Sequence, residues 1–313
     1  MTSSNLFDGL ELITQAPKSG KSNVILFTTR ITSKLTEFLQ DDFNFELSLR
    51  LLNNLKEQLR IQSIKDESLR FKQLIASLFT RAVFNSLLEK DLFENIKFTY
   101  NDYGKPQLLN QNFQFNSSSS NDIISIIIEF SDTANPIGID LSHARQPAIS
   151  KENCIEEFRS IFHPVELSYF DTIEDVERRY FEFNHFWTLK EAFTKLIGSG
   201  LNVELADFYF NVKQEFSEKQ DQHCNESIPR GMVSEYSLDW FRDIQLNIDN
   251  LLDKRNKFIE NLSNKSVFNC HCSILENRQE EELPVIITFI NQNEIELIRS
   301  FELNFENILN KYI

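Results

Sequence analysis

Glycine and proline are so scarce in this chain that long, uninterrupted helices and strands are the expected building blocks. Only 7 glycines and 7 prolines occur among 313 residues, which leaves few positions where a regular segment has to end. Apolar residues recur at helical spacing from Phe71 to Val83, and this pattern predicts a core helix over 66–88. A second long helix is predicted over about 174–197.

Strands are predicted where β-branched and aromatic residues cluster. They are expected at 24–31, 123–130, 137–141, 266–275 and 284–290. The run at 123–130 is too apolar for a half-exposed strand, so it is predicted to be buried. The polar stretch 214–265 carries spaced apolar residues and is interpreted as a helical insertion between the last strands; these residues are Leu238, Phe241, Ile244, Leu246 and Leu251.

The chain is strongly acidic, with a formal net charge of −15 and an isoelectric point near 4.9. Binding of nucleic acid or of an anionic membrane takes clustered Lys and Arg, so neither is an expected partner. The N-terminus lacks a basic flank before a long apolar core, and no apolar run reaches about 18 residues, so neither a signal peptide nor a membrane-spanning helix is predicted. A soluble, cytoplasmic protein is expected.

The cysteines give no sign of a disulfide framework. The chain has 4 cysteines, at positions 154, 224, 270 and 272, which are too few for such a framework at this length. Cys270-His271-Cys272 together with His223-Cys224 could suggest zinc, but a CxC lacks the usual gap of two to four residues. A strand that carries buried thiols is the favoured interpretation.

The string WTLKEAFTKLIGSG places a carboxylate and a lysine one helical turn apart. Residues four apart on a helix are neighbours, so Trp187, Glu191 and Lys195 are expected to share one face. Gly198 and Gly200 supply a stop signal for the helix. Taken alone, the string is equally well explained by a surface Glu/Lys pair on an amphipathic helix.

Three motifs precede this helix, and their order carries more information than any one of them. They are Gly104-Lys105-Pro106, Phe115-Asn116-Ser117-Ser118-Ser119-Ser120 and Pro136-Ile137-Gly138-Ile139-Asp140. With the helix string, they resemble the series GKP, FNxSH, GID and WxxKEAxxKxxGxGL of the group II (surfactin-synthetase type) 4′-phosphopantetheinyl transferases. The resemblance covers roughly residues 60–210. Ser142 stands two residues after Asp140 where the commoner pattern has glutamate, as in the animal and fungal enzymes that serve aminoadipate-semialdehyde dehydrogenase (aminoadipate reductase).

This resemblance implies both a fold and an activity. The implied fold is α+β, with two pseudo-symmetric α/β lobes, 1–133 and 134–313, around a cleft that holds the active site. The implied activity is transfer of 4′-phosphopantetheine from coenzyme A to a serine of an apo acyl or peptidyl carrier protein domain, with release of 3′,5′-ADP. A monomer is implied, and a role in lysine biosynthesis is a further expectation.

The resemblance also assigns the catalytic and metal-binding residues. Asp140 and Glu191 are expected to hold Mg²⁺, which prefers oxygen ligands and is typically bound by one or two carboxylates plus substrate phosphates. Glu191 is the expected general base, directly or through a metal-bound water, with a role as metal ligand alone as the alternative. Lys195 is expected to contact the phosphate and to stabilise or protonate the leaving oxygen, with a salt bridge to Glu191 as the alternative. With Ser142 in place of a second acidic residue, the magnesium ion is expected to keep an extra water.

The remaining implied contacts are with coenzyme A. They comprise the GKP loop and the serine-rich stretch, together with the two helix residues: Gly104, Lys105, Pro106, Asn116, Ser118, Ser119, Glu191 and Lys195. Ser119 stands where the family has histidine, which puts that phosphate contact in doubt. A further basic contact from the first lobe is either Lys65 or Arg70.

Two other functions remain open. A non-catalytic relative would keep the pocket and bind coenzyme A or a carrier protein, although the presence of both Glu191 and Lys195 favours catalysis. An acidic interaction protein would make the motif order a coincidence. Arg178 and Arg179 are weak candidates for carrier docking, and an ordinary solvated helix face explains them better.

Overall fold

The fold is seen in a computed structural model, which describes residues 6–7, 17, 20–108, 111–120, 122–142, 149–213, 231–260, 262, 264–275 and 284–313. The first part of the chain forms β1 (Ser22–Arg30), α1 (Ser33–Gln40), α2 (Asp42–Arg50), α3 (Leu55–Gln62), α4 (Glu67–Leu87), β2 (Thr99–Tyr100), β3 (Pro106–Gln107), β4 (Phe113–Ser120), β5 (Ile123–Ser131) and β6 (Gly138–Leu141). The second part forms α5 (Cys154–Glu157), α6 (Pro164–Phe170), α7 (Val176–Ile197), β7 (Tyr209–Val212), β8 (Val233–Tyr236), β9 (Ile244–Asn247), α8 (Asp249–Asp253), α9 (Lys257–Glu260), β10 (Asn269–Leu275), β11 (Val285–Asn291), β12 (Ile295–Leu303) and α10 (Phe305–Tyr312). The protein is therefore an α+β protein, as predicted.

A five-stranded sheet has the strand order β4-β5-β1-β12-β8. Its central strand β1 pairs antiparallel with β5 and parallel with β12. Every residue of β5 is buried, as its apolar sequence predicted. Helices α4 and α10 pack on this sheet through a core that includes Phe27, Leu78, Phe79 and Ile308. The predicted lobe boundary at residue 133 places β12 and α10 in the second lobe, whereas both pack in the core of this first sheet.

A three-stranded antiparallel sheet has the order β10-β11-β6, and α7 covers one of its faces. The other face packs on the first sheet through an apolar layer that includes Val24, Ile127, Ile139 and Phe289. Strand β11 is buried along its whole length because helix and sheet cover its two faces. Strand β6 thus lies between the first sheet and α7, which places its residues next to both.

Helix α7 is long because nothing in its sequence interrupts it. Its N-terminus is capped by Asp175, whose side chain accepts the backbone N–H of Arg178. It ends at Gly198, whose left-handed φ of 68° favours glycine. The helices predicted over 66–88 and 174–197 are thus confirmed as α4 and α7. None of the helices in the described ranges is long and apolar enough to span a membrane.

The helical insertion predicted over 214–265 is wrong in its described part. Residues 231–260 form two strands, β8 and β9, followed by two short helices, α8 and α9. The reason is visible in the register: Ile244 and Leu246 alternate along a strand and pair with β7 opposite Val212 and Phe210. Residues 214–230 lie outside the described part of the chain, as do His223 and Cys224.

The favoured interpretation of the CxC motif is confirmed, because Cys270 and Cys272 are buried free thiols on β10.

Candidate active site

A cavity of about 540 Å³ lies where β4, β6 and α7 meet α4. The motif residues that line it are Ser117, Ser118, Ser119, Asp140, Trp187, Glu191 and Lys195. Trp187, Glu191 and Lys195 share one face of α7, as their spacing predicted. Three of the four motifs, far apart in the chain, therefore contribute side chains to one cavity wall.

Asp140 lies at the centre of a compact polar cluster with Ser118 and Lys195. The Nζ of Lys195 donates to Oδ1 of Asp140 at 2.7 Å and to Oγ of Ser118 at 2.9 Å. The hydroxyl of Ser118 in turn donates to the same Oδ1 at 2.9 Å. We call these three residues the Asp140 cluster. It joins β4, β6 and α7 at the cavity wall.

Gly138 explains how β6 comes close enough to α7 for this cluster to form. A Cβ at Gly138 would overlap the backbone carbonyl oxygen of Ala192, which lies on α7. Only glycine tolerates so close an approach of strand and helix without displacing one of them. The GID motif thus supplies a carboxylate and, two residues earlier, the space that lets the carboxylate reach Lys195.

Glu191 faces the same cavity without an ion-pair partner among the described residues. Burial raises the pKa of its carboxyl group, the negative charge of Asp140 raises it further, and Lys195 partly opposes both effects. Within the described residues its carboxylate forms no hydrogen bond and no ion pair of its own. Two carboxylates that share one cavity repel each other, so a cation bound between them would relieve a cost present in the resting protein.

The residues present fit a magnesium ion that is completed by its substrate. The described ranges contain no group of three or more His, Cys, Asp or Glu side chains that could hold a metal. Asp140 and Glu191 alone suffice for Mg²⁺ only if phosphate oxygens and waters complete an octahedron, which is its usual arrangement in phosphate-binding sites. Ser142 does not add to this set, because its Oγ accepts the backbone N–H of Ile286 at 2.8 Å and its side chain is buried.

The GKP loop is next to this cavity but does not line it. The Nζ of Lys105 donates to the backbone carbonyls of Leu196 at 2.8 Å and Ile137 at 3.4 Å. Burial lowers the pKa of this amine to about 7. Lys105 and Pro106 line a second cavity, of about 800 Å³, at the C-terminal end of α7. The predicted coenzyme A contacts are therefore divided between two cavities that follow one another along α7, and Gly104 lines neither.

Asn116 supports α7 rather than lining the cavity. Its Nδ2 donates to the backbone carbonyl of Lys195 at 3.4 Å, and its Oδ1 accepts the N–H of Ser117. Lys65 is exposed, and Arg70 packs its guanidinium over the rings of Phe45 and Phe71. Neither Lys65 nor Arg70 lines the cavity.

Arg178 and Arg179, the weak docking candidates, are both engaged. Arg178 forms an ion pair with the buried Glu182, and Arg179 donates to the carbonyl of Ile173. Both side chains are therefore held by contacts within the protein, and their role in carrier docking stays a prediction.

Sequence reasoning missed two features of the site. Ala76 and Thr80 of α4 line the cavity one turn apart, but a small and a hydroxyl residue within a core helix carry no specific signal. Lys190, inside the motif string, is buried and forms an ion pair with Glu166 at 2.8 Å. A helix that is buried on nearly every side and has no clear polar face does not reveal from its sequence which of its two lysines points into the core.

The α+β scaffold thus brings two carboxylates and a lysine into one cavity, and such groups can hold a divalent cation and a phosphate. Residues 136–240 match the model of the 4′-phosphopantetheinyl transferase superfamily. The match spans about a third of the chain and agrees with the family that the motifs resemble.

Individual relatives agree with this result. The L-aminoadipate-semialdehyde dehydrogenase-phosphopantetheinyl transferase of Saccharomyces cerevisiae is 28% identical over 175 residues, which are 54% of this chain and 61% of that protein. The protein of the same name from Candida glabrata is 26% identical over 197 residues, or 60% of this chain and 69% of that protein. A 4′-phosphopantetheinyl transferase of Bacillus subtilis is 30% identical over 138 residues, or 44% and 54%. The chain thus matches less than two thirds of the length of the first and third of these relatives.

Proposed function

We propose that this protein transfers the 4′-phosphopantetheine group of coenzyme A to a serine of an apo carrier protein domain and releases 3′,5′-ADP. The observation that carries the proposal is the Asp140 cluster with Glu191 beside it in one cavity. Four ordered motifs and the superfamily match support the same reaction. The alternative, a non-catalytic protein that binds coenzyme A or a carrier, predicts the same cavity without turnover.

In this proposal the carboxylates of Asp140 and Glu191 would hold Mg²⁺, which would supply positive charge to the pyrophosphate of coenzyme A. Glu191 accepts the proton of the carrier serine as the serine oxygen bonds to the β-phosphorus. The bond between the β-phosphorus and the bridging oxygen breaks, and the negative charge leaves on 3′,5′-ADP.

Lys195 stabilises that leaving charge. An ammonium group has three N–H donors, and two of them bind Asp140 and Ser118. The third has no acceptor among the described residues and is available to a phosphate oxygen. Lys195 can therefore support the metal-binding carboxylate and contact the leaving group at the same time.

We further propose a carrier domain of aminoadipate-semialdehyde dehydrogenase (aminoadipate reductase) as a substrate, which would place the protein in lysine biosynthesis. Two fungal relatives are named as phosphopantetheinyl transferases of that enzyme, which supports this choice. The monomeric state implied by the resemblance and the cytoplasmic location expected from the sequence remain predictions.

The test is to incubate the protein with coenzyme A, Mg²⁺ and an apo carrier domain, and to follow the carrier by intact mass. The expected result is a mass increase of one phosphopantetheine group that requires Mg²⁺ and produces 3′,5′-ADP. Binding of coenzyme A in a calorimetric titration without any mass increase would establish the non-catalytic alternative. Neither binding nor transfer would favour the acidic interaction protein.

A further inference from the structure

A row of polar side chains crosses the three-stranded sheet beneath α7. In the antiparallel register Cys272 of β10 is opposite Thr288 of β11, and Thr288 is opposite Asp140 of β6. Residues directly opposite each other in antiparallel strands place their side chains on the same face. Asp140 is therefore the last member of a transverse row whose other two members lie in the interior. We call Cys272, Thr288 and Asp140 the transverse row.

Helix α7 binds each member of this row with a different side chain. The Nε2 of His185 is 3.3 Å from Sγ of Cys272, and Oγ1 of Thr188 is 2.8 Å from Oγ1 of Thr288. Within the row, Sγ of Cys272 is 3.2 Å from Oγ1 of Thr288. At its far end, Asp140 receives Lys195 in the Asp140 cluster. The helix is thus joined to the sheet by polar contacts at three successive strands.

The contact at Cys272 is also held from the helix side. The Nδ1 of His185 is 3.1 Å from Oε2 of Glu182, and Glu182 forms an ion pair with Arg178. Burial by itself lowers the pKa of His185, but Cys272 and Glu182 outweigh it and raise the pKa to about 9. The imidazole is therefore fixed at both nitrogen atoms, which leaves its ring one orientation.

This arrangement of thiol, imidazole and carboxylate cannot act on a substrate. Cys272, His185 and Glu182 are all fully buried. The remaining role for such a group is to fix geometry. Apolar packing between a helix and a sheet is non-directional and tolerates small displacements, whereas hydrogen bonds at three strands are satisfied at one register only.

We infer that the contacts of His185 and Thr188 with the transverse row fix the register of α7 on the sheet and so set the spacing of Glu191 from Asp140. The inference rests on the proposed function, since it concerns the two carboxylates assigned to the metal. Cys272 and Thr288 are positioning residues in this scheme, because they act through Asp140 and α7 without touching the substrate.

Helix geometry shows why the register matters. Each residue of an α-helix advances by about 1.5 Å and turns by about 100°. A slip of α7 by a fraction of a residue would move the carboxylate of Glu191 by about 1 Å relative to Asp140. Misplacement of that size at a reacting centre can cost about 10²-fold in rate.

The test compares two cysteines that share strand, face and burial. Cys272 and Cys270 both lie on β10, both are buried and both pack against α7, but only Cys272 belongs to the row. We expect Cys272→Ala to lower kcat about tenfold or more and to weaken Mn²⁺ binding in the presence of coenzyme A several-fold, measured by electron paramagnetic resonance. Cys270→Ala should change each by less than about twofold, and Cys272→Ser should recover most of the loss because a hydroxyl can still bond to His185 and Thr288.

A loss in Cys272→Ala that matches Cys270→Ala in both kcat and Mn²⁺ affinity would overturn the inference, because it would reflect only lost packing. Thr288→Val keeps a similar shape and removes the contacts of Thr288 with Thr188 and Cys272, so it is the second variant if Cys272→Ala fails to fold. Unchanged Mn²⁺ affinity in Thr288→Val would equally overturn the inference. If the wild-type protein does not load a carrier, the proposed function fails. The Mn²⁺ titration still decides whether the row positions the two carboxylates.

Discussion

Two lysines of helix α7 each form an ion pair with a carboxylate at nearly the same distance, but the two pairs differ in exposure. Lys190 lies 2.8 Å from Glu166, and Lys195 lies 2.7 Å from Asp140. In the first pair the side chains are 1% and 0% exposed, and in the second they are 29% and 10% exposed. Distance alone therefore does not separate a structural pair from the pair that we propose to be catalytic, whereas access to the cavity does.

Hydrogen bonding separates the two pairs further. The Nζ of Lys190 also donates to the carbonyls of Leu205 and Phe208, so all three of its donors are used inside the protein. Glu166 accepts the backbone N–H groups of His163 and Phe210. Lys195 keeps one donor free of partners among the described residues. A pair with every donor satisfied stabilises the fold, and a pair with spare capacity can bind a ligand.

The largest effect is expected at the two cavity carboxylates. Asp140→Ala and Glu191→Ala should each reduce carrier loading by about 10²–10⁴-fold or abolish it, because the metal loses a ligand and the serine loses its base. The loading rate is measured by intact mass, and thermal unfolding checks that the fold is intact. Glu177→Ala, an exposed carboxylate on the same helix, is the control. Near wild-type loading by either cavity variant would mean that the magnesium assignment is wrong.

The structural pair should respond in stability instead. Lys190→Met leaves Glu166 charged, buried and without its partner, so we expect a loss of about 3–5 kcal/mol in the free energy of unfolding, measured by urea denaturation. Adding Glu166→Gln should recover part of the loss, because it removes the uncompensated charge. The fraction that stays folded should load carrier at nearly the wild-type rate. A loss below about 1 kcal/mol would contradict the assignment of this pair to the core.

The contrast between these two lysines also shows what could be predicted from sequence. Helix α7 was predictable because its sequence lacks glycine and proline until Gly198, and the face formed by Trp187, Glu191 and Lys195 followed from spacing alone. The burial of Lys190 could not be predicted, because 15 of the 22 residues of α7 are buried and the sequence of the helix has no clear polar side. Whether a side chain of α7 is buried depends on contacts with residues far away in the chain.

Long-range pairing explains the other gaps. Strand β12 joins β1 in parallel although more than 260 residues separate them, and no local pattern specifies that neighbour. The transverse row also depends on the register of three strands. The helical interpretation of the stretch around Ile244 failed for a related reason, since pairing with β7 decided its structure. The separate cavity of Lys105 could not be predicted because a tripeptide motif does not specify what its side chain contacts.

The third prediction concerns turnover at Lys195. We expect Lys195→Ala to lower kcat about 10²-fold while changing coenzyme A affinity much less, because a contact with the leaving group strengthens only as charge develops. The free energy of unfolding should fall by no more than about 1 kcal/mol, since the pair with Asp140 is partly exposed. Steady-state kinetics and calorimetric titration with coenzyme A separate these effects. A change confined to KM would make Lys195 a ground-state phosphate ligand.

The smallest effect is expected at Lys105, a third lysine that has backbone carbonyls instead of a carboxylate as partners. Burial lowers the pKa of its amine to about 7, below the pKa of the same lysine in the unfolded chain. Between about pH 7 and the ordinary lysine pKa of 10.5 the unfolded chain therefore binds more protons, and stability rises with pH. Below pH 7 both states hold the proton, so the cost of burying the charge is present in full.

Lys105→Met should remove this pH-dependent contribution. The free energy of unfolding of the variant, taken relative to that of the wild type, should be higher at pH 6.5 than at pH 9.5. The difference should be on the order of 1 kcal/mol or less, because solvent in the second cavity screens the charge. Urea denaturation of both proteins at the two pH values measures the difference. Lys257→Met, an exposed lysine that lines the same cavity, controls for general changes in net charge. If the stability of the wild type and of Lys105→Met depends on pH in the same way, Lys105 stays charged throughout this range, as a permanent phosphate ligand would. Lys105 would then resemble Lys195 rather than Lys190.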